Sequence, residues 1–272
     1  MKHILFVLLL AASGAAAEHN ITVLAYHPRV DSGDRYETNE LIAFREDLRL
    51  INELGFEIVP LAWVAEWISG GRDIPEKSVA ITFDDGANAT LAFLEALNDF
   101  YVEFKPQQPY LHATTFVIAS PSARADIGGG QDLTDSWWRH AEVSPLMSIE
   151  NHSWDHNHPW VQTKCDDLSP DEHGFSDVND YAEATCEVAL ASTLIQGITG
   201  RRPAFLAYPY GESSDYLREE YMPKFASEHG ISAAFSTAGE KVSADSNIWN
   251  VPRFVHRWHW EHKSELAEIL GD

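Results

Sequence analysis

Short apolar runs alternate along this chain with segments whose apolar residues recur every three or four positions. Phe44, Leu48 and Ile51, for example, fall on one face of a predicted helix. The short runs have the length and continuous apolar character of strands buried on both faces. The predicted strands are Ile21–Tyr26, Ser78–Phe83, Ala113–Ile118, Leu146–Glu150, Ala204–Ala207, Ile231–Phe235 and Val251–Val255. The predicted helices are Ala43–Leu54, Leu61–Ile68, Ala89–Leu97, Tyr181–Ile198, Tyr216–His229 and Ser264–Leu270.

This alternation of strand and helix continues without a break in composition, which predicts a parallel sheet with crossover helices. No glycine-rich dinucleotide-binding fingerprint follows the first strand, so an open doubly wound sheet is disfavoured. We therefore predict an α/β fold, a distorted (β/α)7-type barrel that forms a single domain over residues 18–272.

Residues 1–17 have the pattern of a secretory signal peptide. Lys2 gives a basic start, Ile4–Ala12 is an apolar run, and Ala15–Ala17 supplies small residues for cleavage. An uncleaved anchor is the weaker alternative, because a membrane span needs roughly 20 residues. We expect a secreted or periplasmic protein with no membrane span after cleavage. In an oxidising compartment, we expect Cys165 and Cys186 to form a disulfide.

The charge balance limits the partners. Nineteen lysines and arginines against 42 aspartates and glutamates give a formal net charge of −23. Such a surface repels nucleic acid and anionic lipid headgroups. It would attract cationic polymers, although acidic side chains also serve simply to keep an exported protein soluble. We expect a monomer that does not bind nucleic acid.

Two adjacent carboxylates, Asp84 and Asp85, follow the predicted strand Ser78–Phe83 directly. Adjacent residues on an extended segment point to opposite sides, so the two side chains should have different tasks. One could bind a cation while the other acts as a base. A plain Asp-Asp-Gly turn at a strand end is the alternative.

Histidines cluster after another predicted strand. His152 and His156 are four residues apart, a spacing that would place both on one face of a helical turn. Two imidazoles and one carboxylate form a metal site that leaves positions open for water and substrate. A third strand end, Tyr208–Gly211, could direct a backbone N–H at a developing oxyanion, although a plain turn is the alternative.

Thr82–Gly86, the histidine pair in His152–His156, and Tyr208–Gly211 resemble, in this order, the first three motifs of the polysaccharide deacetylases. This family is also called the NodB-homology group or carbohydrate esterase family 4. The likeness extends from Val23 to about Phe254, nearly all of the chain after the predicted signal peptide. The first and last predicted strands are most similar to the exported poly-N-acetylglucosamine deacetylases, in which the motif order is permuted.

The resemblance implies a metal-dependent hydrolase that removes N-acetyl groups from N-acetylglucosamine residues of an exported or cell-surface polysaccharide. Asp85, His152 and His156 match the metal ligands, with zinc the usual divalent ion. Asp84 matches the general base, and Tyr210 matches the residue whose backbone N–H stabilises the oxyanion. An O-acetyl esterase on a polysaccharide such as xylan, and a noncatalytic carbohydrate-binding protein, are the alternatives.

The chain departs from the family pattern at two places. Ala207 stands where many relatives have an arginine that holds the base, and Arg253 is the candidate to supply that charge to Asp84. The late Leu-x-His motif, which carries the general acid, is absent. His27 after the first strand is the expected substitute, and His256 is the competing candidate.

Tryptophans beside polar segments are candidates to stack on sugar rings, although core packing is the better interpretation for any single one. Trp154, between the two predicted ligands, is the first candidate, and Trp137 and Trp138 are the next. The others considered are Trp160, Trp258 and Trp260.

Overall fold

The computed structural model describes residues 19–29, 31–128, 132–158, 160–165 and 174–271. The predicted signal peptide, residues 1–17, lies outside this part of the chain. None of the helices within these ranges has both the length and the apolar character needed to cross a bilayer.

In the described part of the chain, eight strands, all joined in parallel, make one sheet. They are β1 (Thr22–Tyr26), β2 (Glu57–Ile58), β3 (Ser78–Phe83), β4 (Ala113–Val117), β5 (Met147–Asn151), β6 (Phe205–Ala207), β7 (Ala233–Phe235) and β8 (Phe254–Val255). Seven of them follow the order β7-β6-β5-β4-β3-β1-β8, and the short β2 pairs with the start of β3. Val251, just before β8, pairs with Phe235 of β7, so the two ends of the sheet approach each other. The predicted distorted (β/α)7 barrel is confirmed.

Helices cover the outside of the sheet. They are α1 (Glu40–Glu53), α2 (Leu61–Ile68), α3 (Thr90–Phe104), α4 (Pro121–Ile127), α5 (Trp138–Glu142), α6 (Tyr181–Thr185), α7 (Ala191–Thr199), α8 (Met222–Phe225) and α9 (Lys263–Leu270). The sequence predicted neither β2 nor the short helices α4 and α5. The single helix predicted over Tyr181–Ile198 contains a π-helical turn, Cys186–Leu190, between α6 and α7. The helix predicted over Tyr216–His229 also divides into a π-helical turn (Tyr216–Tyr221), α8 and a final 3-10 turn (Ala226–His229).

The core lies on both faces of the strands. On one face, Leu24 and Ile81 pack with helix residues such as Phe44 and Phe93. On the other face, inside the barrel, a second apolar cluster includes Phe116 and other residues of alternating strand positions. Because all the strands are parallel, their carboxyl ends meet at one edge of the sheet, and the predicted site residues follow these ends.

The predicted disulfide is confirmed. Cys165 and Cys186 are joined, with their Cα atoms 5.7 Å apart. The bond ties the segment after the histidine cluster to the π-helical turn that follows α6.

Candidate active site

The turn after β3 separates its two aspartates. Asp85 and Gly86 both have left-handed backbone conformations, with φ of 69° and 79°. A Cβ atom at Gly86 would lie 2.8 Å from Cγ1 of Val117, so the close approach of β4 also requires glycine here. The prediction of an extended Asp84–Asp85 segment is therefore wrong in its geometry. The two carboxylates nevertheless face different partners.

Asp84 is held by a buried arginine. The two terminal guanidinium nitrogens of Arg253 donate to the two carboxylate oxygens of Asp84, each at 2.8 Å. Arg253 also donates to the hydroxyl of Thr82 and to the carbonyl of Ser236. Burial alone would raise the pKa of Asp84, but the charge and hydrogen bonds of Arg253, together with the neighbouring His152 and His27, outweigh burial and hold that pKa below its ordinary value. Asp84 thus stays ionised although it is almost completely buried.

Asp85, His152 and His156 come together as a possible metal centre. Asp85 Oδ1 lies 3.6 Å from Nε2 of His152 and 3.8 Å from Nε2 of His156. These separations are too long for hydrogen bonds. They suit donor atoms that share one ion at about 2.0–2.2 Å from each. Nδ1 of His152 lies 2.9 Å from the carbonyl oxygen of Ala207, an arrangement that leaves Nε2 facing Asp85 and available to a metal ion.

The protonation states also suit a cation. Burial would raise the pKa of Asp85, but nearby histidines outweigh it and lower that pKa. Burial and the neighbouring His152 lower the pKa of His156 to about 3, so its imidazole is neutral and free to bind. Burial would lower the pKa of His152, but the two aspartates outweigh it and raise that pKa. A bound cation would take the place of the proton on His152.

The ligand turn, residues 152–157, is not helical, so the predicted helical turn is wrong. Ser153 and His156 have positive φ angles of 69° and 68°. The backbone N–H of Ser153 donates to the Asn151 side chain, and that of His156 donates to the Ser153 hydroxyl. The two histidine rings still meet, with centroids 4.9 Å apart. Tertiary hydrogen bonds, rather than helical spacing, bring the ligands together.

The two candidate acids lie in different environments. His27 lines the same cavity as Asp84 and Asp85, which has a volume of about 230 Å³. His256 lies instead in the core, where its Nδ1 is 3.4 Å from Glu40 Oε1. Its ring packs against aromatic side chains of the core. The geometry therefore favours His27 over His256 for contact with a substrate.

Tyr210 lies at the edge of this cavity, in the 3-10 turn Pro209–Gly211 after β6. Its backbone is left-handed, with φ of 57°, and its ring is 4.5 Å from that of His156. A Cβ atom at Gly211 would lie 1.9 Å from the hydroxyl of Thr237, so glycine is required there too. The turn is thus held close to the possible metal centre.

The ranking of the tryptophans for sugar stacking is wrong, because the candidates placed first are buried and two of the others are exposed. Trp154, Trp137 and Trp138 are all buried in the core. The exposed tryptophans are Trp258, whose ring is 6.4 Å from that of His27, and Trp160, which contacts His158. Local sequence could not separate these two groups, because all five tryptophans border polar segments. The remaining candidate, Trp260, is also buried.

Backbone strain concentrates at this site. In the described part of the chain, six residues other than glycine have positive φ, and five of them belong to the turns just described. Such conformations persist where surrounding contacts over-determine them, and they cluster at functional sites. The five residues are Asp85, Ser153, His156, Asn157 and Tyr210.

The sequence of residues 71–234, more than half of the chain, matches the polysaccharide deacetylase family. The chain therefore belongs to this family, which confirms the resemblance in its motifs.

Among known relatives, the chain is 24% identical over 246 residues to the poly-β-1,6-N-acetyl-D-glucosamine N-deacetylase of Escherichia coli K12. The match covers 79% of this chain and 35% of the relative, so the chain spans about a third of that protein's length. In fold, it is similar to IcaB from Ammonifex degensii, with a TM-score of 0.67 and 18% identity over 93% of this chain and 98% of the other. It is also similar to the Streptococcus pyogenes deacetylase PplD, with a TM-score of 0.64 and 16% identity over 94% and 100%.

Proposed function

We propose that this chain is a metal-dependent hydrolase that removes N-acetyl groups from N-acetylglucosamine residues of an exported or cell-surface polysaccharide. The observation that carries the proposal is that one cavity holds both a possible metal site and a candidate general base. Asp85, His152 and His156 offer a metal site, and Asp84 beside them is kept ionised by Arg253. Family membership and the names of the relatives support the same activity.

The ligand set fits a divalent cation, with zinc the first choice. Two imidazole nitrogens and one carboxylate oxygen are donors that zinc accepts, and the open face of the cavity leaves room for water and substrate. Such an ion, when bound, polarises an acetyl carbonyl and lowers the pKa of water.

The chain's own residues supply the proton transfers. Asp84 takes a proton from the attacking water, since Arg253 keeps the carboxylate ionised. The backbone N–H of Tyr210 donates to the oxygen that gains negative charge. His27 then donates a proton to the leaving nitrogen as the C–N bond breaks. Acetate and a free amine are the products.

The surroundings of the cavity support a carbohydrate substrate. Trp258, which lines the cavity beside His27, is 62% exposed, and Trp160, whose ring contacts the lining residue His158, is 72% exposed. Aromatic faces of this kind pack against the C–H faces of sugar rings. We propose that the chain acts after export, to the periplasm or outside the cell, where the polymer is available.

Acetate release from a panel of polymers tests this proposal. Poly-β-1,6-N-acetylglucosamine, chitin oligomers, peptidoglycan and acetylated xylan would be compared, with Asp84→Asn protein as the inactive control. We expect acetate from an N-acetylglucosamine polymer and none from the Asp84→Asn variant. Release from xylan alone would identify an O-acetyl esterase. Release from none of the polymers would favour a carbohydrate-binding protein.

A further inference from the structure

A buried side chain outside the cavity contacts the backbone between the two proposed histidine ligands. Glu187, in the π-helical turn Cys186–Leu190, is 2% exposed and does not line the cavity. Its Oε2 atom accepts the backbone N–H of Trp154 at 3.1 Å and approaches that of Asp155 at 3.4 Å. These two N–H groups lie in the middle of the ligand turn.

A second segment, Thr163–Cys165, also contacts the middle of the ligand turn. The hydroxyl of Thr163 donates to Oδ2 of Asp155, and the backbone N–H of Cys165 donates to that hydroxyl at 3.1 Å. Oδ1 of Asp155 accepts the backbone N–H of Asn157. A carboxylate oxygen of Asp155 and one of Glu187 lie within 4.8 Å of each other. Both carboxylate oxygens of Asp155 therefore accept a hydrogen bond, and its backbone N–H faces Glu187.

The disulfide closes this arrangement. Cys165 is two residues from Thr163, and Cys186 is next to Glu187. The Cys165–Cys186 bond therefore holds the segment that contains Thr163 close to the segment that contains Glu187. Asp155, Cys165 and Glu187 are close enough to suggest a second metal site. Because the Cys165 sulfur is already bonded to Cys186, the cluster is better suited to bracing the turn than to binding an ion.

The ligand turn needs such a brace. Ser153 and His156 have left-handed conformations that cost free energy unless neighbouring groups hold them. Loss of the Glu187 carboxyl would leave two buried N–H groups without an acceptor, and the turn could relax to a conformation that separates the histidine rings.

We infer that Glu187 is a positioning residue for His152 and His156, holding the ligand turn in the conformation that binds the ion. The inference rests on the metal site of the proposed function. Glu187 touches neither the ligands nor the cavity, and it acts through the backbone of Trp154 and Asp155. Groups that hydrogen-bond directly to metal ligands commonly change the metal affinity by about 10- to 100-fold, and we expect an effect of this order from the backbone contacts of Glu187.

The test is the zinc dissociation constant of metal-depleted protein, measured by competition with a chromophoric chelator. Glu187→Leu removes the acceptor and should weaken zinc binding by about 10- to 100-fold. Glu187→Gln should bind zinc nearly as tightly as the wild type, since its amide oxygen still accepts both N–H groups. Asp47→Asn is the matched control. Asp47 is also a fully buried carboxylate, but it bonds Tyr26 and Tyr36 in the core.

We expect Asp47→Asn to lose stability and to keep its zinc affinity. Unchanged affinity in a folded Glu187→Leu variant would overturn the inference, as would an equal loss in Asp47→Asn. If Glu187→Leu does not fold, Thr163→Val is the second variant. It removes the hydroxyl that donates to Asp155 and should weaken zinc binding several-fold. Unchanged zinc affinity in Thr163→Val would overturn the inference. Failure of the wild type to bind zinc would instead overturn the proposed function, and this inference with it.

Discussion

Replacing Arg253 with methionine should change the pH at which the enzyme works. Methionine keeps much of the side-chain length and removes the charge that faces Asp84. The side chains of Arg253 and Asp84 are 0% and 3% exposed, so water cannot replace the lost guanidinium group without rearrangement. Removing one member of a buried ion pair costs about 3–5 kcal/mol of stability.

Loss of the ion pair with Arg253 should also change the pKa of Asp84. In the wild type, Arg253 lowers the pKa of Asp84, so the carboxylate is ionised and able to accept a proton well below neutral pH. About 3 kcal/mol lost from the ionised form corresponds to a rise of about two pKa units in the variant. The acidic limb of kcat/KM should therefore move upward by about two pH units, with activity recovering as pH rises through the new pKa.

Initial rates of acetate release, measured against pH at saturating zinc, give this limb directly. Arg201→Met is the control, because Arg201 pairs with Glu142 and Glu150 and does not line the cavity. We expect that control to be less stable in urea, with its acidic limb unchanged. A folded Arg253→Met enzyme with the wild-type limb would refute the assignment of Asp84 as a base held by Arg253.

Further variants separate the roles of the cavity residues. Asp85→Asn should lose zinc, whereas Asp84→Asn should keep zinc and release acetate about 10²- to 10⁴-fold more slowly. Elemental analysis measures the zinc content. Wild-type rates of acetate release in both variants would contradict the assignment. His27→Ala should slow amide hydrolysis far more than hydrolysis of an activated aryl acetate, because the leaving group of the aryl acetate needs little proton assistance. If His256→Ala instead showed this selective loss of amide hydrolysis, the general acid would have been misassigned. Trp258→Ala should raise KM for a polymer several-fold and leave KM for a small acetylated substrate unchanged, so equal effects on both would argue against stacking.

Much of the fold could be predicted because its signals are local. β3 and α2 have the predicted bounds, since each is a continuous apolar or periodic segment with clear ends. The short β2 has only two residues, too few to produce a pattern. The π-helical turn Cys186–Leu190 was also missed, because its apolar spacing is close to that of an α-helix.

The candidate site divides in the same way. The sequence singled out Asp84, Asp85 and the histidine pair, because these residues follow strand ends. It could not give the conformation of the ligand turn, which depends on Glu187 more than thirty positions away. Arg253 is 169 positions from Asp84, and only the family resemblance made it a candidate. Burial of the tryptophans likewise depends on residues far away in the chain that pack in the same core cluster, so it could not be predicted from neighbouring residues.

The central claim is that an ion held by Asp85, His152 and His156 is required for deacetylation. Its most direct test is a titration of metal-depleted protein with zinc, in which acetate release from an N-acetylglucosamine polymer is followed against zinc bound per chain. The account predicts no release without metal and a linear rise that ends at one equivalent. Full activity in protein that elemental analysis finds free of metal would contradict it.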